Sequence, residues 1–74
     1  MSEIPTNHWP STYLGRLQAV TAELRNLGTP VSVEIVTQRF SGATTVEVEA
    51  TLAALVLFGR VKKSGESYSP NDGI

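Results

Sequence analysis

A chain of 74 residues with 41% hydrophobic content has room for one small soluble globular domain and excludes a second. Domains this short bury only about 60% of their unfolded surface, so the thin core calls for close helix packing or self-association. Six Lys plus Arg against seven Asp plus Glu give a formal charge of -1, which excludes general attraction to nucleic acid or anionic membrane and leaves only a local patch.

Pro5 and Pro10 among polar residues disfavour helix at the start, so residues 1–8 are expected to be a flexible arm and 9–69 the folded domain. Trp9 carries too much apolar area for water and is expected to fold onto the edge of the core. Tyr13, Leu17, Val20, Leu24 and Leu27 recur at the spacing of one helical face. Ser11 or Thr12 can cap this first helix, and Gly28 followed by Pro30 ends it. Gly15 costs about 1 kcal/mol against Ala and predicts a late start. Arg16, Gln18, Glu23 and Arg25 form the expected solvated face.

Thr29-Pro30-Val31 reads as an extended link. Ser32 is a natural cap for a short second helix with Glu34 near its positive end. Val33, Val36 and Phe40 are its expected buried face, and Ser41-Gly42 turns the chain.

The third helix begins with Thr-Thr-Val-Glu, a capping box in which the Thr44 hydroxyl and Glu47 satisfy each other's backbone amides. Val48, Leu52 and Leu55 face the other helices, and Gly59 stops the helix. Arg60-Val61-Lys62-Lys63-Ser64-Gly65-Glu66-Ser67-Tyr68-Ser69 then reads as a hairpin. With Ser64-Gly65 as the turn, Lys63 faces Glu66 and Val61 faces Tyr68, while Arg60 and Lys62 take the other face. Residues 70–74 have turn composition and are expected to be an irregular tail.

The fold class is therefore mainly α with a small antiparallel β-sheet. The order of helix, helix, turn, helix and hairpin is that of a winged helix-turn-helix, three helices plus a two- or three-stranded wing. Trp9-Pro10, Leu17, Ala19-Val20, Gly28-x-Pro30, Val36 with Phe40, Gly42-Ala43, Val48, Leu52, Leu55, Gly59 and Gly65-x-x-Tyr68 carry a resemblance to that family. In particular the chain is similar to the small C-terminal winged module of bacterial restriction-modification type DNA methyltransferases. The resemblance implies DNA contact through the third helix and the wing, at Thr45, Val46, Glu49, Ala50, Arg60 and Lys62. Several of these are not the polar residues that usually read bases, although Glu can accept from cytosine.

Two functional expectations follow, both non-enzymatic. In the first, a DNA-binding protein, the positive end of the third helix brings Thr44 and Thr45 to duplex DNA, and Thr45 and Glu49 reach base edges. Arg60, Lys62 and Lys63 then hold phosphates, with Arg39 extending the patch. In the alternative, Val46, Ala50, Ala53 and Leu57 form an apolar stripe opposite the core face and serve a homodimer or a larger protein partner. The bland counterparts are a hairpin edge kept soluble by its lysines and a stripe covered by Trp9, the arm or the wing.

Catalysis finds no support. His8 and Asp72, the sole His and the sole Asp, lie in the arm and the tail, and Glu47 and Glu49 point apart on a helix. The glycines match caps and turns, with no nucleotide fingerprint, so no cofactor, metal or small-molecule substrate is expected. The absence of Cys excludes disulfides and thiolate metal sites. The longest apolar run, Leu52 to Phe58, is too short to span a bilayer. With no apolar signal segment, a cytoplasmic protein without a membrane partner is expected.

Overall fold

A computed structural model of the protein describes residues 7–71. Three helices, α1 (Tyr13–Leu27), α2 (Val33–Gln38) and α3 (Thr45–Leu57), pack with two small sheets. β1 (Asn7–His8) pairs in parallel with β2 (Phe40–Ser41), and β3 (Val61–Ser64) pairs antiparallel with β4 (Ser67–Pro70). Val31 adds a third position to the second sheet: its N–H donates to Tyr68 O at 2.9 Å, and Tyr68 N–H donates back to Val31 O at 2.7 Å. The link before α2 is therefore a strand position.

The helix termini follow local chemistry. Thr12 and Thr44 are the N-caps of α1 and α3, their hydroxyls accepting from Gly15 N at 3.1 Å and Glu47 N at 3.2 Å. Only this half of the capping box forms among the described residues; the Glu47 carboxylate turns toward Arg16 at 3.9 Å. Ser32 occupies the cap position of α2 without a side-chain cap bond. α1 also does not start late. A Cβ at Gly15 would lie 2.7 Å from Thr12 Oγ1 and 3.1 Å from Pro10 Cβ, so the glycine lets the arm and the cap close over the first turn. At the far end of α3, Gly59 N–H donates to Val56 O and Arg60 N–H to Leu55 O, the paired bonds of a Schellman motif.

The core is Trp9, Val20, Leu24, Val31, Val36, Phe40, Val48, Leu52, Leu55, Val61 and Tyr68. Each helix presents the face that its periodicity predicts, except that Tyr13 stands exposed at the start of α1. Trp9 does fold onto the core, with its ring edge-on to Phe40 at 5.2 Å and the Arg16 guanidinium 5.0 Å from its centroid. Its Nε1 is buried without a partner among the described residues, a cost of about 1–3 kcal/mol set against the burial of the ring.

The structure corrects the sequence reading at three further places. Asn7 and His8 are a strand rather than part of a free arm: Asn7 N–H donates to Arg39 O and Trp9 N–H to Ser41 O. Glu23, expected on the solvated face, is 3% exposed and accepts from Asn7 Nδ2 at 2.8 Å and Arg39 Nε at 2.7 Å. The hairpin turn is Gly65-Glu66, so Lys63 pairs with Tyr68 and Val61 with Pro70. Gly65, at φ 62, takes the first central position, where a two-residue loop tolerates only a positive φ. Moving the turn by one residue moves each pairing by two, so Val61 and Tyr68 still share the buried face.

At the other end, Pro70 lies in β4, and Asn71 donates to Arg60 O through its N–H and to Gly59 O through Nδ2. The expectations of a mobile start and an irregular end otherwise fall on residues 1–6 and 72–74, outside the described residues.

Candidate functional site

Three surfaces converge on α3, and the helix repeat of about 100° per residue keeps them apart. The buried side carries Val48, Leu52 and Leu55. Opposite it, Val46 is 75% and Leu57 83% exposed, with Ala50 and Ala53 also exposed between them. The stripe anticipated from sequence is thus in place, and neither Trp9 nor the β3–β4 hairpin covers it: Trp9 is committed to Phe40, and Val61 and Tyr68 to the core.

On one flank of that stripe, α2, α3 and the hairpin enclose an open cleft of about 390 Å³. Thr45 and Glu49 from α3 line it together with Lys63, joined by Glu34 and Glu66. Three acidic residues and one lysine therefore line the cleft, and Lys63 Nζ rests 5.6 Å from the Tyr68 ring centroid. Neither Glu34 nor Glu66 was foreseen here. They lie 32 residues apart, and no local pattern announces that they meet.

The remaining candidate DNA contacts disperse. Lys62 pairs with Ser69 and so lies on the opposite face of the hairpin from Lys63. Arg39 is ion-paired with buried Glu23 and helps to fix β1. Thr44 is exposed but its hydroxyl is engaged as a cap. Arg60 lies on the far flank of α3, where it lines a second, larger groove with Arg25 of α1. The structure brings Thr45, Glu49 and Lys63 together and leaves Arg39, Arg60 and Lys62 elsewhere.

Among the described residues, no group of three or more His, Asp or Glu side chains is placed to hold a metal ion. No helix there is long and apolar enough to cross a membrane.

No family model matches the chain, and no curated protein or solved structure matches it significantly.

Proposed function

We propose that this chain is a non-enzymatic winged helix-turn-helix module that works by protein contact, with the outer face of α3 as its docking surface. Three helices followed by a hairpin, with Val31 as an extra strand position, support the winged-helix reading. The observation that carries the function is the exposure of Val46 and Leu57 on one face. Large apolar side chains left in water on a regular helix mark a contact surface when they fall in a line.

The occupant is a second copy of the chain. Along about 16 Å of helix the stripe reads large, small, small, large, from Val46 through Ala50 and Ala53 to Leu57. That order is the same from either end. Two copies related by a two-fold axis and running antiparallel place Leu57 of one over Val46 of the other, and the alanines allow close approach at the centre.

Sedimentation over a concentration series, with wild type and Leu57→Glu, tests this. The wild type should show a monomer–dimer equilibrium, and the variant should be monomeric with unchanged circular dichroism. Val46→Cys mixed with Leu57→Cys should form the mixed disulfide faster than either variant pairs with itself. A wild type that stays monomeric at millimolar concentration removes the dimer.

DNA contact is the second reading. Thr45 at the positive end of α3 and Lys63 share one cleft. Glu34, Glu49 and Glu66 in that cleft repel phosphate and place this reading second. An amide-shift titration with mixed-sequence duplex DNA at low salt separates the two. Salt-sensitive shifts from Thr44 to Glu49 and from Arg60 to Gly65 favour DNA; dilution-dependent shifts from Val46 to Leu57 without DNA favour the dimer.

A further inference from the structure

The carboxylates that set the smaller cleft against phosphate suit it to the opposite charge. Glu34 comes from the first turn of α2, Glu49 from α3 and Glu66 from the hairpin turn, so three separate elements each supply one acidic group to the lining. None of these carboxylates makes a hydrogen bond or ion pair among the described residues. Lys63, the one cation in the lining, is set against the Tyr68 ring and is not ion-paired to any of them. Three Glu against one Lys leave the cleft with a formal charge of -2.

Exposed carboxylates alone are ordinary solvated charges. Tyr68 distinguishes this cleft from a chance cluster. It is 4% exposed and yet lines the cleft, and its hydroxyl makes no hydrogen bond among the described residues. A buried phenol ordinarily finds a partner for its polar tip, and the cleft is the side from which one can reach it.

The same residues define the occupant. The three acidic groups are not placed to share one metal ion, so a point charge does not satisfy them together. A guanidinium spreads five N–H donors over a rigid plane and suits oxygens that approach from different directions, whereas an ammonium carries three donors on one atom. Val33 adds an apolar wall for an aliphatic stem.

We infer that this cleft binds an arginine side chain, whose guanidinium donates to the carboxylates of Glu34, Glu49 and Glu66 and to the Tyr68 hydroxyl oxygen while its stem lies along Val33. That chemistry is shared by an arginine within a polypeptide and by the free amino acid.

The test uses the full chain carrying Leu57→Ser, so that self-association through the α3 stripe does not interfere. Amide shifts of the labelled protein are followed at low salt against Nα-acetyl-arginine amide, Nα-acetyl-lysine amide, free arginine and magnesium chloride. The arginine amide should shift Glu34, Glu49, Glu66 and Tyr68 at millimolar concentration and bind about fivefold more tightly than the lysine amide. Glu49→Gln should weaken it about fivefold, and Tyr68→Phe, which keeps the buried ring, about threefold. Glu66→Gln, at the exposed turn, repeats the test without touching a helix or the core. Lys63→Met should tighten binding by removing the competing cation, the reverse of its effect on any binding of DNA.

Tighter binding of the amide than of free arginine assigns a polypeptide partner; equal or weaker binding assigns the amino acid, and either supports the inference. It is overturned if the arginine amide shifts none of these residues at millimolar concentration. It is equally overturned if the lysine amide or magnesium binds as tightly, or if Lys63→Met weakens binding. These outcomes do not depend on whether the wild type dimerises.

Discussion

α1 and α3 break the rule of apolar inside and polar outside in opposite directions. α1 turns a carboxylate inward, with Glu23 at 3% exposure beside Val20 and Leu24. α3 turns aliphatic side chains outward at Val46 and Leu57. The inward charge is accounted for within the molecule, because Asn7 and Arg39 meet both carboxylate oxygens and tie β1 to the bundle. The outward aliphatics have no such account among the described residues, so their explanation is sought in a partner. An exception that is satisfied locally is architecture; one left unsatisfied points outward.

Three substitutions break or sharpen that contrast. Leu52→Ala removes a fully buried side chain from the inner face of α3 and should cost about 3 kcal/mol in urea unfolding. Loss of less than about 1 kcal/mol would mean that the inner and outer faces of α3 are not energetically distinct. Glu23→Ala strips the partner from Arg39, whose side chain is 37% exposed and can recover some solvation. The expected loss is about 2 kcal/mol, with the amide signals of Asn7 and Trp9 broadening or moving. An unchanged spectrum there would show that Glu23 does not hold β1. Leu57→Ser, measured by unfolding at concentrations below any dimerisation, should change stability by no more than about 0.5 kcal/mol. A larger loss would show that the stripe is covered within the monomer and would remove the contrast.

What the sequence made legible was what short-range chemistry decides. Thr12, Thr44, Gly28 and Gly59 mark helix ends through bonds to residues three or four positions away, and the inner faces of the helices follow from the 3.6-residue repeat. The exposed stripe on α3 was legible for the same reason. The β1–β2 pairing joins Asn7 to Phe40 across 33 residues, and a two-residue strand has no periodicity to read. Glu23 followed from that same pairing: with Asn7 and Arg39 unplaced, nothing distinguished it from the solvated charges of α1. The register of the hairpin turned on whether Gly65 takes the first or second central turn position, and both satisfy a glycine. Of the candidate DNA contacts, the opposition of Lys62 and Lys63 across a strand follows from the two-residue repeat and was legible, whereas the pairing of Arg39 with Glu23 was not, because it spans 16 residues with no local pattern.

The reciprocal bonds between Val31 and Tyr68 carry a consequence for how the molecule opens. They fasten β4 to the segment joining α1 and α2, and Asn71 closes the hairpin's open end on Gly59 and Arg60. Protons on the amides of Val31 and Tyr68 can then reach solvent only when sheet and helices part together, whereas those around Gly65 need only the tip to fray. Within the hairpin, the amide of Tyr68 should therefore exchange more slowly than that of Gly65, although the two lie three residues apart.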